Sequence, residues 1–247
     1  MNYIVFDLEF NQDFSTNQDY VKDCLKSPFE IIQIGAIKLD SSFNTIESFN
    51  SYIKPTIYSK VSSFITKLTG ITTEELLIAD TFPKVYKEFI DFIDDNESVF
   101  CIWGLSDIKE IFKNVHYHKL DSSLLSKRFI NIQPYVSKLL GFKANNLPKL
   151  QFAVEKFDIE IPYEFHNALY DAYYTSEVFK KIYNSSIKPT IYDPFYVKAR
   201  QKKEKVEVDY DGLFKQFGKM YNRHITEEEK EIIKLAYKMG RTHQFLN

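Results

Sequence analysis

A chain of 247 residues, 44% of them hydrophobic and 16% aromatic, holds enough apolar material for one substantial domain with an appendage, or for two small domains. Its seven glycines and eight prolines exclude a fibrous or wholly disordered chain. The net charge of −2 conceals a split: residues 1–186 carry 19 Lys and Arg against 25 Asp and Glu (net −6), and residues 187–247 carry 13 against 9 (net +4).

In chain order, residues 3–8 read as a buried strand, short, apolar and β-branched. Residues 10–29 are polar and irregular and predict a long loop. Glu30 to Leu39 predicts a second strand, Ser41 to Asn44 a turn, and residues 45–53 a third strand that completes an antiparallel meander ended by Pro55. Ser62 to Leu68 predicts a short helix closed at Thr69-Gly70. Phe82, Val85, Phe89, Ile90 and Ile93 recur at helical spacing over residues 82–94. Ser98 to Trp103 is a further apolar strand, followed by a helix to about His116 that Ser106 or Asp107 would cap. Arg128 to Ile132 predicts the fifth strand. Pro134 suits the first turn of the next helix, and residues 147–157 and 167–184 read as helices.

This order predicts an α/β fold: a mixed five-stranded sheet, three antiparallel strands then two parallel, flanked by helices. Residues 1–186 would form that domain. Residues 187–247 would be a linker and a helical C-terminal extension, whose last helix opens on the capping box Thr226-Glu227-Glu228-Glu229 and ends at Gly240. Ile232, Ile233, Leu235, Ala236 and Met239 give that helix an apolar face for the domain or for a protein partner.

Cys24 and Cys101 lack the spacing of a zinc site or redox pair, and Cys101 sits in an apolar run that reads as core. No apolar run approaches a membrane span, and the start has no basic segment before an apolar one. The expectation is a cytoplasmic protein without a membrane association.

Three groups of residues carry chemistry. Asp7 and Glu9, one residue apart at the end of an apolar strand, point to one face. Their repulsion becomes useful with a divalent cation between them; the plain alternative is a strand that ends at Asp7 with both acids in solvent. Asp107 follows the apolar run Val99 to Trp103 and a glycine turn. Taken alone it reads more readily as a helix cap than as a ligand. His166 and Asp171 are five apart, which brings them to one point only if His166 precedes a helix that contains Asp171. A lone histidine is more often a hydrogen-bonded structural one.

In order and spacing, Asp7-Leu8-Glu9, Trp103-Gly104-Leu105-Ser106-Asp107 and His166-Asn167-Ala168-Leu169-Tyr170-Asp171 resemble the three motifs of the DEDDh 3′–5′ exonucleases, whose fold is RNase H-like. Glu30-Ile31-Ile32-Gln33-Ile34-Gly35-Ala36 is similar to that family's second strand, and Leu68-Thr69-Gly70-Ile71-Thr72 to its segment near the terminal nucleotide. The likeness spans residues 3–184 and is nearest to stand-alone bacterial and Eri-1-type members. Phe10-Asn11 departs from the small residues or threonine of many members, Gln33 stands where many carry glutamate, and residues 187–247 match nothing in the family.

The resemblance implies two Mg²⁺ or Mn²⁺ ions, which oxygen ligands favour over zinc. Asp7 would bridge both. Glu9 and Asp171 would hold the ion of the attacking water, and Asp107 would support the second through water. His166 would be the general base, for which an imidazole's ordinary pKa of about 6.5 is suited. It also implies a single-stranded nucleic acid, RNA or DNA with RNA favoured, shortened from its 3′ end to 5′-mononucleotides. Phe10, Leu68 and Thr69 are candidates for contacting the terminal nucleotide, each equally readable as core. Lys198, Arg200, Lys202, Lys203 and Lys205 form a basic cluster that reads as a solvated linker or as a track for phosphates. The competing expectations are a non-catalytic nucleic-acid or protein-binding module on the same fold, against which stands the presence of all five residues, and an RNase H-like endonuclease, which His166 disfavours.

Overall fold

A computed structural model describes residues 1–12, 29–94, 97–143, 146–194 and 208–241. Cys24 and the basic cluster from Lys198 to Lys205 lie outside the described residues. The chain divides into two compact units, Met1–Tyr196 and Val197–Asn247.

The first unit is a mixed sheet. Strands β1 (Tyr3–Asn11), β2 (Glu30–Leu39) and β3 (Thr45–Lys54) form the antiparallel meander. β4 (Asp80–Thr81) joins the outer edge of β3, while β5 (Val99–Ile102) and β6 (Arg128–Asn131) extend the other side in parallel. β7 (Thr190–Ile191) closes that edge, giving the order β4-β3-β2-β1-β5-β6-β7. The five strands foreseen are all present; the two added ones are two residues long, too short to leave a periodic signal. Helices α1 (Ser63–Thr69), α2 (Thr73–Leu77), α3 (Phe82–Ile93), α4 (Ser106–Tyr117), α5 (Gln133–Leu139), α6 (Leu150–Lys156) and α7 (Ala168–Ile182) belong to the same unit.

Alternation along β1 sorts its side chains between two cores. Ile4, Phe6 and Leu8 pack with Val85, Phe89, Ile108 and Ile111 of α3 and α4. Tyr3 and Val5 pack with Ala172, Val178 and Phe179 of α7. Asp7 and Glu9 continue the second row, so the strand that buries Val5 against α7 also delivers two carboxylates toward the start of that helix.

β1 runs farther than expected. Phe10 and Asn11 are paired to Ile31 and Glu30, with a bulge between Glu9 and Phe10, so they belong to the strand and not to a loop. The buried Asn11 side chain explains the extension: it donates to the Lys60 carbonyl (3.0 Å) and accepts from the Ser62 amide (3.1 Å). Ser62 in turn caps α1, and Gly70 closes it at φ 77°, as the sequence indicates. Cys101 is fully buried in β5.

In the second unit, α8 (Tyr210–Tyr221) and α9 (Glu227–Arg241) follow each other across Asn222 at φ 49°. The capping box forms: Glu229 accepts from the Thr226 amide (2.9 Å) and donates its own amide to the Thr226 hydroxyl (3.3 Å). α9 runs one residue beyond Gly240, within the usual spread of helix ends. Its apolar residues divide: Ile233 and Met239 are half-buried, whereas Ile232, Leu235 and Ala236 are exposed. Among the described residues no helix is long and apolar enough to cross a membrane.

Candidate active site

Asp7 and Glu9 lie past the last paired residue between β1 and its parallel neighbour β5, which is Val5 opposite Cys101. This is the carboxyl end of the parallel strands, where open α/β sheets place their ligands. Asp107 arrives there from β5 by way of Gly104 (φ 92°) and the first turn of α4. Asp171 sits in the first turn of α7, with His166 two residues before that helix begins.

Ligand oxygens of Asp7, Glu9 and Asp171 all lie within 4.8 Å of one another. Asp107 is not one of that trio, yet its charge bears on both Asp7 and Glu9. It is 95% buried and, contrary to the sequence expectation, does not cap its helix. Nor does Ser106: the N-cap is Leu105, with no side-chain cap bond. The glycine turn starts the helix one residue early, and the Asp107 carboxylate accepts from its own backbone amide while its charge bears on the other acids.

Burial acts on all four acids in the same direction. Asp7 is raised well above the ordinary carboxylate range by burial, then by Asp107, Asp171 and Glu9. Glu9 is pushed up to about 8 by burial, Asp171 and Asp107. Asp107 rises to about 7, mainly by burial. Asp171 rises to about 6 by burial, although the amide and charge of His166 pull it down. Like charges gathered in a poorly solvated place favour the proton, or a cation in its stead.

His166 is exposed and takes φ 66°, a left-handed conformation costly for a residue with a Cβ. Its amide donates to Asp171 Oδ2 (3.2 Å). The other oxygen, Oδ1, is buried without a hydrogen-bond partner. A buried carboxylate oxygen without a partner is expensive unless something positive occupies its free side. Together with the clustered oxygens, it makes the acids a fitting donor set for a hard divalent cation.

The weaker candidates separate. Phe10 packs its half-buried ring against the core, 6.0 Å from Phe29. The Thr69 hydroxyl is engaged at the end of α1, donating to the Ile65 carbonyl (2.9 Å) and accepting from the Ile71 amide (3.1 Å). Leu68 is 40% exposed.

Two positions that hold the site together had no assigned role in the sequence reading. Gly35 stands opposite Asp7 in β2. A Cβ there would lie 2.0 Å from the Leu169 amide nitrogen and 2.1 Å from the Ala168 carbonyl carbon, so only glycine lets α7 begin against the sheet. Asn167 caps α7 by accepting from the Leu169 amide (3.1 Å). The signals were an Asn before a helix and a glycine within a buried apolar strand.

A raised carboxyl pKa has a definite consequence for stability. Between about pH 4 and about pH 8 the folded chain holds protons that the unfolded chain has released. Stability therefore falls as pH rises through that window. Thermal unfolding in chelator should give a lower Tm at pH 8 than at pH 5, and Mn²⁺ should raise Tm more at pH 8 than at pH 5. A metal increment equal at both pH values would contradict this electrostatic description.

A mixed sheet of this order, with acids at the carboxyl end of its parallel strands, defines an RNase H-like exonuclease fold. The chain belongs to the RNase_T exonuclease family, whose family model matches residues 4–179. The 3'-5' exoribonuclease 1 of Homo sapiens is 26% identical over 136 residues, covering 55% of this chain and 34% of that protein. The chain thus spans about a third of that relative's length. The DNA polymerase III subunit epsilon of Aquifex aeolicus is 30% identical over 185 residues, covering 73% of this chain and 79% of that one. Among solved structures, the nuclease domain of 3'hExo, a DEDDh family member bound to rAMP, superposes with a TM-score of 0.64 at 22% identity, covering 78% of this chain and 96% of that one. At that identity the likeness speaks for the fold.

Proposed function

We propose that this chain is a metal-dependent 3′–5′ exonuclease that hydrolyses single-stranded nucleic acid, RNA in preference to DNA, and releases 5′-mononucleotides. The observation that carries this reading is the convergence of Asp7, Glu9 and Asp171 within 4.8 Å beside a buried Asp171 oxygen that has no partner. Asp107, from a third stretch of chain, and His166, five residues before Asp171, adjoin that point.

Asp7, Glu9 and Asp171 would hold Mg²⁺ or Mn²⁺, with Asp107 supporting a second ion from its separate position. Bound divalent ions supply neutralisation of the phosphate, acidification of a water and support for the leaving oxygen. The chain's own part is to gather four carboxyl groups where a cation can take the place of their protons, and to hold His166 ahead of α7. From there His166 accepts a proton from the attacking water as general base. Of the weak candidates Leu68 is the exposed one, which supports assigning it to packing against the terminal nucleotide. The RNA preference draws on the exoribonuclease named among the relatives. The exposed Ile232 and Leu235 support a protein contact on α9, and the cytoplasmic location stays part of the proposal.

The test is initial rates on matched RNA and DNA single strands with Mn²⁺. RNA should be shortened faster, and His166→Ala should lower kcat on RNA by at least about 100-fold. Equal rates on both would remove the RNA preference, and an active His166→Ala would remove the assigned base.

A further inference from the structure

The start of α7 is fixed to the sheet by one buried side chain, Gln33. It lies in β2 directly opposite Glu9 and is completely buried. Its amide works at both ends. Nε2 donates to Asn50 Oδ1 on β3 (2.9 Å) and to Asn167 Oδ1 (3.3 Å). Oε1 accepts from the Ala168 amide (3.2 Å). Two of these three bonds reach the residues that separate His166 from the body of α7.

We infer that Gln33 is a positioning residue for the exonuclease reaction, setting where His166 and Asp171 meet Asp7 and Glu9. The inference rests on the function proposed above.

The chemistry calls for an amide. Asn167 Oδ1 already accepts from Leu169 to cap the helix, so what approaches it must donate. The Ala168 amide needs an acceptor, because an unpaired buried N–H costs on the order of 1–3 kcal/mol. A primary amide answers both. A carboxylate at this position keeps the acceptor for Ala168 and loses the donor for Asn167. An aliphatic side chain loses both and leaves the first turn of α7 held by packing against Gly35 and by the bond between the Asn167 and Tyr52 side chains. His166 is joined to Asp171 by its own amide, so a shift of that turn moves both residues relative to β1. A misplacement of about 1 Å can lower a rate by 10²-fold.

The experiment compares Gln33→Leu, Gln33→Glu and Asn50→Ala in the full chain. Asn50 meets Gln33 from β3 and not from α7, so its variant reports general weakening of the network. On a single-stranded RNA oligomer with Mn²⁺, well below each variant's Tm, Gln33→Leu should lower kcat by about 10–100-fold, the range found for groups that orient metal ligands. KM should stay within about twofold. Gln33→Glu should fall between Gln33→Leu and the unaltered chain, and Asn50→Ala should stay near the latter. A folded Gln33→Leu with undiminished kcat overturns the inference, and so does an Asn50→Ala that loses as much. If Gln33→Leu does not fold, Asn167→Ala takes its place with the same expected loss of kcat.

The rise in Tm on adding Mn²⁺ is read in parallel. It responds to the placement of Asp171 even in a chain without turnover, so an inactive unaltered chain counts against the proposed function, while the Tm shift still decides the role of Gln33. That shift should shrink in Gln33→Leu, and an unchanged shift overturns the inference.

Discussion

Asp7→Asn is expected to lower turnover by roughly 10³-fold or more while raising the stability of the metal-free protein. The first effect follows from position. Asp7 is the acid on which Asp107, Asp171 and Glu9 all bear, so it stands at the centre of the proposed metal centre. An amide there keeps the shape and removes the charge, and losing a single group that stabilises charge in a transition state costs about 10²–10³. A ligand shared by both proposed ions should cost at least as much. The second effect follows from the same crowding. Without metal, a carboxyl buried among three others costs the fold stability as pH rises above the ordinary carboxylate value of about 4. Removing it should lift Tm at pH 8 in chelator by a few degrees, about what 1 kcal/mol gives in a domain of this size. Loss of activity with gain of metal-free stability marks a functional acid; an Asp7→Asn that loses both would mark a structural one. Thermal melts in chelator paired with initial rates decide it.

Gly35→Ala carries the second large effect, in the opposite direction for stability. The new methyl would meet backbone at 2.0 Å, 2.1 Å and 2.4 Å, all of it in Ala168 and Leu169. Backbone cannot swing aside as a side chain can, so β2 or the start of α7 must move. Overpacking a core typically costs 1–3 kcal/mol, and a clash with main chain belongs at or above the top of that range. The displaced segment carries Asp171, so activity should fall by roughly 100-fold or more even where the protein stays folded. Urea unfolding and initial rates at low temperature check the two parts. A Gly35→Ala variant with the original stability and rate would mean that α7 does not start against the sheet as described.

These effects differ in how legible they were. Asp7 and Glu9 could be read as a same-face pair because strand periodicity is local, and the five-residue step from His166 to Asp171 told where a helix had to begin. The capping box at Thr226 and the five main strands were readable for the same reason: each depends on neighbours a few residues away. A cap by Ser106 or Asp107 is the natural expectation, because such residues after a turn usually supply one; that Gly104 and Leu105 start the helix without either depends on φ values, not on residue type. Gly35 and Gln33 were visible as residues but not in their roles. Each acts on partners about 135 positions away in the chain. Only packing α7 onto the sheet reveals that one must be small and the other an amide.

The central claim, that clustered acids act through divalent cations on a 3′ end, is tested most directly with a 5′-labelled single-stranded RNA and the purified chain, with Mn²⁺ and with chelator. A ladder that shortens one nucleotide at a time from the 3′ end is expected with Mn²⁺, and an intact strand in chelator. An RNA left whole under both conditions, or cut equally well in chelator, would contradict it.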